Sequence, residues 1–381
     1  MPLHFLFSYL FFPHKLYMST SLSTLRGLSF EDLVSFVQDT ELQIDNAGTL
    51  SKAELIFHIV CAQATEENLP VDGVLEILSD GFGFLRSIAS EYASGADDIY
   101  VSPSQIRRFN LQTGDWIEGI ARAPRNDSER YLALLRIEKI NNASPEHEKK
   151  RMLFEYQTVV DRESKQENVV EGTEILAKYM TQMGVASIVQ GSRVLLLLKA
   201  YQNPSQIVCS LATELQSDRI LVIALNHAVE DVTWLRKSLR VDPTKSPKVF
   251  ASLRGEGASR HIQLLDLAMH RAKRLAERGK NVHVLLSSLN EIAWSHPNGG
   301  SNKENHASSI EAVQKYVSLA RSLQKGGSLT LWAIAHEQRS ELEKMMLHRI
   351  CGEVEYTAEV LPITVGTKTE LSFGSYSEFT R

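Results

Sequence analysis

The stretch Asp80-Gly81-Phe82-Gly83-Phe84-Leu85-Arg86 restricts the folds open to this chain more than any other. Alternate residues of an extended strand share a face, so Phe82, Phe84 and Arg86 point one way while Gly81, Gly83 and Leu85 point the other. The glycines let such a strand curl, as a small closed barrel demands. Asp98-Ile99-Tyr100-Val101 and Arg107-Arg108-Phe109 follow in the same strand-rich region. Aromatics exposed on a strand stack on bases of any identity, and arginines beside them meet phosphates, so the segment reads as a platform for single-stranded nucleic acid. The alternative is that Phe82 and Phe84 fill the core of the barrel.

With 381 residues, 43% apolar and 23% charged, the chain has room for two or three domains and the composition of an ordinary soluble globular protein. Its formal net charge of −5 repels a polyanion weakly, so affinity for RNA has to come from a local basic cluster. Cys61, Cys209 and Cys351 lie far apart and lack the close spacing of zinc or disulfide frameworks. No metal site is expected, and a reducing, cytoplasmic compartment fits best. The opening Phe5 to Phe12 is apolar but has no basic start or small-residue cleavage site, and it is too short to span a bilayer. Because Met18-Ser19-Thr20-Ser21 precedes the first well-patterned helix, residues 1–17 read as an over-extended start; the alternative is a short membrane-interacting or secretory segment.

Residues 18–68 form a helical module, in which Ser29 caps a helix bearing Leu33, Phe36 and Val37, and Ser51 with Glu54 makes a capping box for a second. Thr65-Glu66-Glu67-Asn68 and Pro70 break that pattern, and short apolar runs punctuated by Gly and Asp take over. This spacing predicts a five-stranded barrel of the OB or cold-shock type over 69–140. Charged and small polar residues mark 141–170 as a linker. Over 171–381 the runs at 192–198, 219–225, 282–286 and 328–334 read as buried parallel strands with helices between them, an α/β domain. The overall class is therefore α+β and multidomain, with a Gly-, Asn- and Ser-rich loop from Asn298 to Ser309.

A helical module, a Gly-Phe-Gly-Phe barrel and an α/β domain in this order resemble the family of the bacterial transcription termination factor Rho. The segments from Asp72 to Leu78, Asp80 to Arg86 and Asp97 to Phe109 read almost as that family does, and Glu129-Arg130-Tyr131 follows at the expected place. The resemblance implies that the barrel is a primary RNA site favouring pyrimidine-rich, cytosine-containing single strands. The matching residues are Phe82, Phe84, Arg86, Asp98, Tyr100, Glu129 and Tyr131, with Arg107 and Arg108 adding positive charge. Asp98 and Glu129 suit this role chemically, because a carboxylate accepts a hydrogen from the exocyclic amine that cytosine has and uracil lacks.

The C-terminal part resembles the family's RecA-like ATPase, in which ATP and magnesium are bound, and Arg260 falls where the family has an arginine near the nucleotide. The catalytic positions depart from the pattern. A phosphate loop needs glycines to present backbone N–H groups, a lysine for the β/γ oxygens and a hydroxyl for magnesium. Here the loop reads Lys199-Ala200-Tyr201-Gln202-Asn203-Pro204-Ser205, with Asn203 for the last glycine, Pro204 for the lysine, and Ser205 alone keeping the hydroxyl. Ser287 replaces the magnesium-holding acid, and His227 stands at the position of the water-activating glutamate. His227 is expected to be a solvated loop residue rather than a base. No catalytic residue and no bound cofactor are therefore expected.

The family's channel-lining loop is altered and polar at His296 to Lys303, and its arginine-finger stretch is echoed only by Val365-Gly366-Thr367-Lys368. A homo-hexameric ring with catalysis across subunits thus loses its support. The favoured reading is a Rho-like binder of single-stranded RNA that has lost its motor, with no membrane contact. Active Rho subunits or RNA polymerase are the further partners that the resemblance brings into view. The alternatives are a working ATP-dependent translocase, with Lys199 substituting for the missing lysine, and an inactive partner of active subunits.

Overall fold

The computed structural model describes residues 22–40, 42–63, 69–126, 129–161, 168–217, 219–239, 247–296, 306–337, 340–365 and 368–375, with side chains as far as 361. The extension at 1–17, the acidic break at 65–68, the loop from 297 to 305 and Gly366-Thr367 lie outside the described residues.

Among the described residues, three α-helices come first: α1 (Leu22–Gly27), α2 (Phe30–Asp39) and α3 (Lys52–Gln63). Ser29 caps α2 in a box with Asp32, and Ser51 and Glu54 exchange the same pair of bonds before α3, so free N–H groups at both helix starts are satisfied. Strands β1 (Leu69–Ile77), β2 (Gly83–Arg86) and β3 (Ile99–Val101), helix α4 (Pro103–Phe109), and strands β4 (Trp116–Arg122) and β5 (Leu132–Ile140) follow. The strands close into a barrel in the order β1-β2-β3-β5-β4, antiparallel except for the parallel pair β3 and β5. Gly81, with φ +83°, makes the turn into β2. Gly83 lies so close to β1 that a Cβ there would sit 2.7 Å from the Glu76 carbonyl oxygen. Leu75, Leu85, Ile99, Ile117 and Leu132 fill the barrel and share one continuous core with Leu25, Leu33 and Ile59 of the helices. The buried pair Arg26 and Asp97, 2.7 Å apart, joins the two units.

The charged segment after the barrel contains the one-turn helix α5 (Pro145–Glu148), and it is packed rather than extended. Phe154 is fully buried, and Asp115, Glu148 and Glu277 share Arg151, Arg274 and Arg278 beneath the barrel.

Beyond it run α6 (Glu174–Gln182), β6 (Arg193–Leu198), α7 (Pro204–Glu214), β7 (Arg219–His227), α8 (Val229–Ser238), β8 (Lys248–Leu253), α9 (Ala258–Glu277), β9 (Asn281–Leu286) and α10 (Leu289–Ser295). Then come α11 (His306–Val317), β10 (Arg321–Ser322), β11 (Ser328–His336), α12 (Glu341–Cys351), β12 (Tyr356–Val365) and β13 (Lys368–Ser375). The main sheet has the order β13-β12-β6-β11-β9-β7-β8; it is parallel from β12 to β8, with β13 antiparallel at one edge and β10 pairing with β11 off that path. All four apolar runs expected as parallel strands occupy it. One face packs against α9 to α12 and the other against α6 to α8, giving two apolar layers. The first layer also takes in Val74 and Tyr92 of the barrel, which therefore rests on α9. Among the described residues no helix is long and apolar enough to cross a membrane.

Candidate nucleic-acid interface

The alternation along β2 sends Leu85 into the barrel core and leaves Phe84 and Arg86 on the other face, where Phe84 pairs across strands with Tyr100 and Phe82, just before the strand, packs against both rings. Tyr131 reaches the same place because β5 runs parallel to β3, with Ile99 opposite Leu132. The four rings form one cluster centred on Phe84, with centroids 4.8 Å from Tyr131, 5.7 Å from Phe82 and 6.1 Å from Tyr100, all edge-on. Phe84 is 8% exposed because its neighbours cover it, whereas Tyr131 at the rim is 38% exposed. These rings lie outside the apolar cluster that fills the barrel.

Two charged groups lie beneath the rings. Arg86 stacks its guanidinium 5.1 Å from the Phe84 centroid, donates from Nε to Glu76 Oε2 at 2.6 Å, and donates from Nη1 to Asp98 Oδ2. It is held by carboxylates, not aimed outward as a phosphate contact of the kind expected from sequence. Asp98 is 1% exposed; its Oδ2 also accepts the Gly95 N–H at 2.7 Å, while its buried Oδ1 has no hydrogen-bond partner among the described residues. Burial pushes the Asp98 carboxyl up to about 6, against the opposing pull of Arg86 and the Gly95 N–H.

Glu129 is arranged differently. Both its oxygens accept from Arg122, Nη2 to Oε1 at 2.9 Å and Nη1 to Oε2, and the Arg125 N–H adds a third bond at 3.0 Å. The Arg122 hydrogen bonds lead in holding its carboxyl down at about 2. Arg107 and Arg108 are exposed in the last turn of α4, and Arg108 lines a cavity of about 470 Å³ with Gln105, Phe109, Leu135, Arg136 and Glu146. Sequence reasoning missed Glu76 and Arg122, the partners that orient Arg86 and Glu129, since each acts across a strand pair or hairpin.

At the position expected for a nucleotide, the replacement residues bond to one another. Pro204 is the first residue of α7, where its missing N–H is no loss. Asn203 caps that helix, accepting the Ser205 N–H at 2.9 Å and donating to Asp231 Oδ1 at 2.9 Å. His227 is corrected by the structure: it is the last residue of β7 and 6% exposed, not a solvated loop residue. Its Nδ1 lies 2.9 Å from Ser205 Oγ and its Nε2 lies 2.9 Å from Ser287 Oγ. Ser287 Oγ also accepts the Leu225 N–H, so a hydroxyl from the first turn of α7 and one just after β9 converge on one ring. Burial lowers the pKa of His227 and favours the neutral ring.

Lys199 is already engaged, with Nζ 2.9 Å from Glu359 Oε1 and 3.3 Å from Glu337 Oε1. Arg260 faces the barrel instead of this position, donating to the backbone oxygens of Glu91 at 2.8 Å and Tyr92 at 3.2 Å.

Residues 71–146, which contain this cluster, match the family described as Rho termination factor, RNA-binding domain. Over 327 residues the chain is 35% identical to transcription termination factor Rho of Chromobacterium violaceum, covering 82% of this chain and 76% of that protein. The Rho of Pseudomonas fluorescens is 34% identical over 348 residues, covering 87% and 80%. Among solved structures, an ATPase from the type III secretion system of pathogenic bacteria superposes with a TM-score of 0.45 at 11% identity, covering 51% of this chain and 57% of that one. With identity at this level over more than four-fifths of its length, the chain belongs to the transcription termination factor Rho family.

Proposed function

We propose that this chain binds pyrimidine-rich single-stranded RNA through the aromatic cluster of the barrel, prefers cytosine, and neither holds nor hydrolyses ATP. The observation that carries the RNA half is Asp98 Oδ1, buried and without a hydrogen-bond partner among the described residues, on the carboxyl whose Oδ2 accepts from Arg86. A buried carboxylate oxygen without a donor is costly, and a base that supplies one recovers that cost. Cytosine offers its exocyclic amine to Asp98, while its ring acceptors suit Arg86; uracil has a carbonyl where the amine would be. Stacking on Phe82, Phe84, Tyr100 and Tyr131 supplies affinity that does not depend on base identity.

The loss of ATP chemistry is supported by the hydrogen-bonded set Ser205, His227 and Ser287, which satisfies the groups that would otherwise face magnesium and water. A working translocase would need Lys199 to leave Glu337 and Glu359 for a phosphate. Parallel titrations of the purified chain with a fluorescent ATP analogue and with oligocytidine RNA test both halves. RNA binding without nucleotide binding is expected, and RNA-stimulated phosphate release would overturn the second half.

A further inference from the structure

We infer that Gln263 and Arg260, in the first two turns of α9, are positioning residues for the base-reading pair Arg86 and Asp98, so that base discrimination by the barrel depends on the α/β domain beneath it. The inference rests on the reading of this pocket as the RNA site. Two independent chains of contact carry it, one to each member of the pair.

The first begins at Gln263, whose Nε2 donates to Glu76 Oε1 at 2.7 Å, while Glu76 Oε2 accepts from Arg86 Nε at 2.6 Å. Glu76 is opposite Phe84 and Val74 is opposite Arg86, so Glu76 and Arg86 are diagonal neighbours on one face of β1 and β2. Because Gln263 occupies one oxygen, Glu76 offers Arg86 only the other. Without that donor the carboxylate is free to rotate and take Nε and Nη2 together, the forked geometry that guanidinium and carboxylate favour. Nη2, which has no hydrogen bond within the protein among the described residues, would then be drawn away from a base.

The second chain begins at Arg260, which bonds the backbone oxygens of Glu91 and Tyr92. Both residues have left-handed backbones, φ 55° and 57°, a conformation that side-chain-bearing residues keep only when their surroundings enforce it. Tyr92 is stacked on Phe250 of the sheet, with centroids 4.3 Å apart and planes 10° from parallel. The loop fixed in this way carries Gly95, whose N–H donates to Asp98 Oδ2. Donor and acceptor of the base-reading pair are therefore both set from one helix.

The test is fluorescence anisotropy of the full chain with oligocytidine and oligouridine RNA, alongside thermal melting. Gln263→Leu is expected to lower the ratio of cytosine to uracil affinity by about two- to tenfold, the range for one lost hydrogen bond, with the melting temperature little changed. Gln263→Lys, which returns a donor to Glu76, is expected to restore the ratio. An unchanged ratio in Gln263→Leu, with the ratio lost in Arg86→Leu or Asp98→Asn, overturns the inference and leaves the pocket reading standing. An equal loss for both RNAs with a lowered melting temperature makes Gln263 merely structural and also overturns it. If neither Arg86→Leu nor Asp98→Asn changes RNA binding, the pocket reading fails and the inference falls with it.

Discussion

Asp98 and Glu129 are both acids of the RNA-binding barrel, yet they titrate in different ranges because one is buried with an orphaned oxygen and the other is wrapped by Arg122. With its carboxyl pushed up to about 6, Asp98 is ionised at pH 7.5 and increasingly protonated below pH 6. Protonation takes away the charge that strengthens acceptance from the cytosine amine and turns one oxygen into a donor, which suits the uracil carbonyl, so the preference for oligocytidine over oligouridine should shrink between pH 7.5 and 5, and Glu129 should contribute nothing to that change. Anisotropy titrations across this range check it; a flat ratio removes Asp98 from base reading. His227→Ala leaves two buried hydroxyls short of a partner, for an expected loss of about 1–3 kcal/mol in urea unfolding. Phe82 and Phe84 were legible in sequence because period-two alternation assigns faces without knowledge of the fold, whereas Tyr100 and Tyr131 joined them through the resemblance to the Rho family. The support behind Arg86 was not legible, since Gln263 is 187 residues from Glu76 along the chain and only tertiary packing brings them together. His227 was misjudged for a related reason: its environment is made by Ser205 and Ser287, each on a different element.

At the scale of elements, strand β2 holds the cluster in place through its closeness to β1. Gly83→Ala would put a methyl 2.7 Å from the Glu76 carbonyl oxygen and 2.9 Å from Leu75 Cδ1, and backbone on one side cannot yield cheaply. A loss of about 1–3 kcal/mol is expected from overpacking, with weaker RNA binding as the strand pair is pushed apart, measurable by urea unfolding and anisotropy on the same variant. The helix starts at Ser29 and Ser51 and the four apolar runs of the sheet were readable because their signals are local: a cap with its acid, or a continuous buried run. The charged segment after the barrel was not readable in the same way. Its composition suits a solvated linker, but Glu148 is buried and Arg151 half-buried among partners contributed by β4's flank and α9.

At the scale of the whole molecule, that charge network joins barrel and sheet. Burial raises the Glu277 carboxyl from an ordinary 4.5 to about 7, with Arg274 and Arg151 opposing the shift. Between those values the folded chain keeps a proton that the unfolded chain has released, so this contribution to stability is complete below about 4.5 and is lost as pH rises through about 7. Through Glu277 the chain should therefore be harder to unfold at pH 5.5 than at pH 8, and Glu277→Gln should flatten that difference; urea midpoints at the two values decide. The seat of Tyr92 on Phe250 has a mechanical consequence as well. A strand of RNA under tension would load the sheet directly through a stacked joint braced by Arg236 and Arg260, so barrel and sheet would take the strain as one stiff body, with no slack to draw out before the force arrives.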